Sequence, residues 1–278
     1  VPRQKWRPTS ATLRSDRSGA TGDASAQHKL KPKKKWGQNF LRNKAAAEKI
    51  VAAVEPEPGD VIVEIGPGEG VLTEKLAALP NELQAIEIDP ELAERLRQRF
   101  GDIIVTADAL QAPLPTRPFR AVGNLPYNAG TPILRRVIAD PHFRRAVFML
   151  QKEVADRLVA KPRDEQYGFL TLDRQLFATA RILMTLEPGS FHPRPKVRSA
   201  VVVLDADRKP YATREVIDLI SAAFRMRRKK LVNNLTILYP RDEVLAAMRD
   251  AGVHENARAE ELGLEAFVRM AAHFRRPT

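Results

Sequence analysis

The sequence predicts an α/β fold, a mostly parallel sheet of seven strands followed by a small all-helical C-terminal domain. Three observations carry this expectation. Short apolar runs at 61–65, 82–88, 103–107, 119–122 and 146–150 alternate with helical patterns over the first part of the chain. Such alternation implies parallel strands covered on both faces. Two further runs, 180–186 and 199–204, read as closing strands in an antiparallel pair. Past the polar linker Asp205-Ala206-Asp207-Arg208-Lys209-Pro210 the pattern becomes helical only, at 214–224, 229–238, 243–251 and 260–274. The domain boundary therefore falls at 207/208, and no internal repeat is visible.

The elements follow from local signals. Order begins near Trp36, and Asn43 can cap a helix of small and apolar residues over 44–54. The run Glu55-Pro56-Glu57-Pro58-Gly59-Asp60 ends that helix and feeds the first buried strand. A glycine-rich turn follows, Glu64-Ile65-Gly66-Pro67-Gly68-Glu69-Gly70, and then a helical pattern over 71–79. Asp89-Pro90 opens a helix to about residue 100 with proline at its first position. Thr131-Pro132 opens another that reaches residue 139.

Composition narrows the class. With 44% apolar and 29% charged residues the chain is an ordinary water-soluble globular protein. No apolar run reaches the length of a membrane span. The absence of cysteine excludes disulfides and thiolate metal sites, and it agrees with a reducing cytoplasmic setting. The five histidines do not pair at ligand spacing, so no metal is expected. Of the net charge of +12, residues 1–35 carry +8, from ten basic side chains against Asp16 and Asp23. That segment lacks apolar periodicity and reads as a disordered tail. It fits a basic arm that touches nucleic acid, an organelle transit peptide, or a solvated extension with a misplaced start, as the opening Val fits.

The glycine turn lies between a strand and a helix, where Gly66, Gly68 and Gly70 let the backbone approach a ligand. A dinucleotide site would hold a pyrophosphate there, but Glu64 and Glu69 would repel one. A cationic ligand fits better, and S-adenosylmethionine has sulfonium and ammonium charges and no phosphate. Glu87 ends the next strand 21 residues after Gly66, where an acid can bond both ribose hydroxyls. Asp108, after the third strand, can accept from the adenine amino group. Each acid alone reads as a surface carboxylate; three at successive strand ends beside a glycine turn do not.

Asn124-Leu125-Pro126-Tyr127 follows the fourth strand and Gly123. An exocyclic aromatic amine is a poor nucleophile because its lone pair is delocalised into the ring. Two acceptors on its N–H groups favour a pyramidal nitrogen, and the Asn124 side chain and Leu125 carbonyl can supply them. Pro126 stiffens the turn and offers no N–H to that carbonyl. Tyr127 offers a face for the base. The competing reading is an ordinary Asn-x-Pro turn.

At these residues the chain resembles the ribosomal RNA adenine N6,N6-dimethyltransferases, nearest to those that modify two adjacent adenines near the 3′ end of small-subunit RNA. The likeness runs from Gly37 to about residue 270. It rests on Gly37-Gln38-Asn39-Phe40-Leu41, the glycine turn, Ile86-Glu87-Ile88-Asp89, Ala107-Asp108-Ala109 and Gly123-Asn124-Leu125-Pro126-Tyr127-Asn128. It continues through the segment 148–154, Ser190-Phe191-His192-Pro193-Arg194-Pro195-Lys196-Val197 and Phe224-Arg225-Met226-Arg227-Arg228-Lys229-Lys230. The resemblance implies a Rossmann-like methyltransferase sheet over 36–207 and a helical domain over 208–278. It also implies a cofactor held by Asn39, Leu41, Gly66, Glu87, Asp108 and Asn124, to which the turn argument adds Gly68. Phe191 would stack on the base opposite Tyr127. The tail before Trp36 has no counterpart in the family core, and His192 receives no role.

Arg225, Arg227, Arg228, Lys229 and Lys230 are expected at a helix start, 225 and 229 on one face, as an RNA-binding cluster with Arg194 and Lys196. A solvated basic face is the bland reading. The implied partner is ribosomal RNA in a partly assembled small subunit, met by a monomer. The nearest alternative is the large-subunit RNA methyltransferase of the resistance type. An RNA-binding assembly or transcription accessory factor is the non-enzymatic one. A DNA amino-methyltransferase usually has Asp in place of Asn124, and a protein-glutamine enzyme would show a second Pro at Leu125.

Overall fold

The structure is a computed structural model and describes residues 38–274. The 1–35 tail expected from composition, and Gly37 of the first motif, lie outside the described residues.

In chain order the elements are β1 (Phe40–Leu41), α1 (Lys44–Val54), β2 (Val61–Ile65), α2 (Thr73–Leu76), β3 (Glu82–Glu87), α3 (Pro90–Phe100), β4 (Ile104–Thr106), β5 (Phe119–Asn124), α4 (Gly130–Ala139) and β6 (Phe143–Gln151). There follow α5 (Lys152–Val159), α6 (Phe169–Gln175), β7 (Ala178–Leu186), β8 (Phe191–His192) and β9 (Ser199–Ala206). The last stretch holds α7 (Arg214–Ala223), α8 (Leu231–Leu235), α9 (Arg241–Asp250) and α10 (Leu264–Phe274).

Seven strands form the main sheet in the order β4-β3-β2-β5-β6-β9-β7. The first five are parallel, and β9 runs antiparallel between β6 and β7. The α/β expectation therefore holds, including the antiparallel closing pair. From β2 the chain builds outward to β3 and β4, then returns to place β5 on the other side of β2. The crevice beyond the carboxyl ends of β2 and β5 is the switch point of such a sheet, where ligands bind.

Local chemistry explains why the early elements form where they do. The Asn43 side chain accepts from Ala46 N–H at 3.0 Å and caps α1. Asp89 caps α3 by accepting from Glu91 N–H at 3.1 Å, with Pro90 at the first helical position. The buried stretch Val61–Ile65 lies between its two parallel neighbours. Beneath the sheet a buried Arg120 is tied to Asp60 at 2.5 Å and to Glu57 at 2.7 Å, which closes the end opposite the crevice. One core cluster runs without a break from strand residues such as Val63 and Val202 into Val216, Leu235 and Phe267 of the helical stretch.

Some elements differ from expectation. The helix read over 71–79 shrinks to Thr73–Leu76, because backbone donors there alternate between partners three and four residues back. The helix read from 229 is only Leu231–Leu235, and residues 225–230 form a turn ahead of it. The buried Asn234 side chain donates to the carbonyls of Ala223, at 2.6 Å, and Met226, at 3.1 Å. It thereby satisfies acceptors freed where α7 ends. The shared-face argument for 225 and 229 falls with the helix. Two helices, α5 and α6, were not expected. The pairs Lys152–Asp156 and Glu153–Arg157 at i, i+4 are the signal that marks α5.

Candidate active site

The site is assembled at the switch point. Gly66 follows β2 and donates its N–H to Ile86 at 2.9 Å. Asn124 ends β5, one step beyond Gly123. A Cβ at Gly123 would lie 2.3 Å from the Ile65 carbonyl oxygen, so only glycine lets β2 and β5 approach this closely. Gly68 has φ +60°, and a Cβ there would meet the Phe40 ring at 3.0 Å. The glycine turn is thus roofed by the N-terminal strand. That strand pairs antiparallel with β8, Leu41 opposite Phe191, and Arg42 N–H donates to Ser190 at 2.8 Å.

A cleft open to solvent, with about 500 Å³ of empty space extending out into its opening, lies here, lined by Gln38, Asn39, Phe40, Glu87, Asn124 and Tyr127 among others. Gly66, Gly68, Leu125 and Pro126 complete the set of expected residues that it gathers. A smaller recess shares Phe40, Gly66, Gly68 and Asn124 with it, and adds Leu41, Glu64 and Glu69. Eight of the expected donor and acceptor residues therefore meet in one cavity, and Leu41 joins them in the recess.

The electrostatics are those of a cation site. Glu64 is 1% exposed, and its Oε2 is buried with no hydrogen-bond partner among the described residues. Burial pushes its carboxyl up to about 8, the adjacent Glu87 adds to the rise, and Thr73 pulls the other way. Glu87 is also raised by burial, while its carboxylate accepts from Gly68 N–H at 3.1 Å and Asp89 N–H at 2.9 Å. A cationic ligand would favour the charged form of both groups. Glu69, the other acid of the turn, is instead paired with Arg42 at 2.9 Å.

The acceptor side has a fixed orientation. Asn124 Nδ2 donates to the Asn39 carbonyl at 2.6 Å, which leaves Oδ1 as the atom of that amide able to accept. Leu125 N–H donates to Met149 at 3.0 Å, and its carbonyl precedes a residue without an N–H. The Tyr127 hydroxyl hydrogen-bonds the Ser199 hydroxyl at 2.9 Å, and burial raises the phenol above its ordinary value.

Phe191 and Asp108, like Gly70 of the turn, line neither the cavity nor the recess. Phe191 is 3% exposed and shares a core with Leu41, Leu186 and Val201, so its ring is packed rather than presented. Asp108 accepts from Leu110 N–H at 2.8 Å in a tight turn and does not line the cavity. Sequence reasoning in turn overlooked Arg42 and Ser199. Complementary charge on Arg42 and Glu69 was a signal for the first; a serine at a strand start gave none for the second.

The basic residues lie on two exposed segments. Arg194 and Lys196 flank the buried Pro195 in the loop between β8 and β9. Arg225, Arg227, Arg228, Lys229 and Lys230 are exposed on the turn before α8. Arg227 is paired with Glu260 at 3.0 Å, and Lys230 donates to Asn256 at 2.6 Å.

The model of a protein family described as ribosomal RNA adenine dimethylase matches residues 29–276. The chain belongs to this family. A ribosomal RNA small subunit methyltransferase A from Methylococcus capsulatus is 44% identical over 254 residues, 85% of this chain and 95% of its own length. Among solved structures, a dimethyladenosine transferase from Plasmodium falciparum aligns with a TM-score of 0.74 at 25% identity, over 83% of this chain and 95% of that one. A 23S rRNA methyltransferase, ErmE, aligns with a TM-score of 0.65 at 29% identity, over 84% and 99%. Membership of the family makes this a methyltransferase, and the sheet described above is that of its solved relatives.

Proposed function

We propose that the chain transfers methyl groups from S-adenosylmethionine to N6 of two adjacent adenines near the 3′ end of small-subunit ribosomal RNA. When bound, the donor supplies a methyl carbon made electrophilic by a sulfonium. Glu64 and Glu87 favour its positive charge, with Glu87 at the ribose, and the backbone of Gly66 and Gly68 lets it approach. Asn39 and Leu41 close over it from the N-terminal strand. Asp108 would meet the adenine ring only if its turn reorients, and Phe191 would need to leave its core to meet the target base.

On the acceptor side Asn124 Oδ1 and the Leu125 carbonyl accept from the target amine and hold its lone pair in line with the methyl carbon. Tyr127 supports the base. Proximity and preorganised acceptors provide the acceleration, and water takes the proton from the methylated nitrogen. Arg194 and Lys196, with the exposed turn at 225–230, meet RNA phosphates. The donor and acceptor machinery falls within 36–207, and 208–278 serves mainly as an RNA-facing helical domain.

The observation that carries this reading is the Asn124 amide, held by the Asn39 carbonyl in the lining of the cavity that Glu87 and Gly66 share. The small-subunit substrate is supported by the 44% identity to a small-subunit enzyme, against 29% to the 23S enzyme. The test is to incubate labelled donor with small and large subunits from an undermethylated strain and map the product by primer extension. Label on adjacent adenines of small-subunit RNA is expected. Label confined to large-subunit RNA would overturn the substrate, and none on either would overturn the activity.

A further inference from the structure

From the contact between Tyr127 and Ser199, we infer that Ser199 is a positioning residue which fixes the Tyr127 ring as the platform for the target base. The inference rests on the platform role proposed above. Tyr127 sits in the turn after β5, half-buried at the cavity, on a side chain with two rotatable torsions. Its hydroxyl, at the far end of the ring, is where a single bond can fix the ring plane. Ser199 supplies that bond at 2.9 Å, across 72 residues of sequence, from a position with 0% exposure.

Ser199 is itself held within the sheet. It is the first residue of β9, opposite Gln151 on one side and Leu186 on the other. Just before it, the Arg198 carbonyl accepts from Lys152 N–H at 2.9 Å. A buried hydroxyl requires a partner, but a serine here could have turned to its own strand. The tyrosine, at an open cavity, could have used water. That each finds the other ties the acceptor turn to the rigid start of β9. It also ties the ring to the loop that carries Arg194 and Lys196, which runs directly into Ser199. Phe191, buried in the core, does not clamp the base from the opposite side in this arrangement. Ring orientation therefore depends on Ser199. A reacting group displaced by about 1 Å can cost up to a hundredfold in rate, so a freed ring lowers turnover more than binding.

The test is a double-mutant cycle on the full chain with undermethylated small subunits and labelled donor. Ser199→Ala and Tyr127→Phe should each lower kcat by about five- to tenfold, the usual effect of one net hydrogen bond. Donor affinity by calorimetry should not change in either, which also reports an intact fold. The double variant should be no slower than Tyr127→Phe alone, because the serine acts only through the phenol. Multiplying effects, an unchanged kcat in Ser199→Ala, or a loss confined to donor affinity would overturn the inference. Tyr127→Ala separates the two ideas. If it keeps the wild-type kcat, the platform reading fails. If it is inactive while Ser199→Ala is unimpaired, only the positioning role fails.

Discussion

Replacing Glu64 by glutamine should abolish most of the pH dependence of donor binding. Glu64 is buried, its Oε2 lacks a partner among the described residues, and its carboxyl is pushed up to about 8 by burial. At pH 7 the protein without donor therefore carries this proton in roughly ten molecules of every eleven. A cationic donor selects the ionised form, so its apparent affinity should rise about tenfold from pH 7 to pH 9. Glutamine keeps the shape and cannot ionise, leaving only the slope due to Glu87, which burial also raises. Calorimetry of S-adenosylmethionine in buffers of different ionisation enthalpy should find about one more proton released at pH 7 by the wild type than by the variant. The same linkage acts on stability. The folded carboxyl titrates above its ordinary 4.5, so its stabilising contribution is complete below about 4.5 and is lost as pH rises through about 8. The melting temperature of Glu64→Gln should therefore overtake that of the wild type increasingly as pH climbs. Equal slopes and equal proton release in the two proteins would mean that Glu64 does not ionise on donor binding.

Other substitutions probe other parts. Gly123→Ala should force β2 and β5 apart, since its Cβ would meet backbone at 2.3 Å. A loss of about 1–3 kcal/mol is expected in urea denaturation, and an unchanged midpoint would contradict the close approach. Asn234→Leu removes both bonds to the end of α7, and should cost about 1–3 kcal/mol and weaken RNA binding by loosening the basic turn. Filter binding across a salt series checks that turn directly. Changing Arg225, Arg228 and Lys229 together to alanine should lower the salt slope of log affinity by about 0.7–0.9 per lost phosphate contact. Arg227→Ala should do less, because that side chain is already paired with Glu260.

Much of the donor half was readable because its signals are local. Asn43 and Asp89-Pro90 cap helices through their own side chains, and Glu87 stands where β3 must end. Asn124 was also placed by sequence, since a strand followed by Gly123 and Pro126 leaves few geometries for it. What stayed hidden depends on distant partners. Whether Glu69 faces a ligand depends on Arg42, which is distant in sequence. Phe191 reads equally well as a platform or as core, and only the pairing of β8 with β1 shows it packed. The run from Arg225 to Lys230 has helical composition, yet a side chain from α8 holds it as a turn. In α5 the apolar positions Val154, Ala155 and Leu158 were too few to stand out without the ion pairs beside them.

In the proposed mechanism a preset amide and a peptide carbonyl activate the target nitrogen without contributing much to binding. Single-turnover methyl transfer by Asn124→Ala, with donor and small subunit both saturating, separates activation from binding. The rate should be at least about a hundredfold lower, as for removal of one preorganised group in an active site, with both affinities within about tenfold of wild type. A saturating rate close to wild type, or a loss that higher donor concentration restores, would contradict this mechanism.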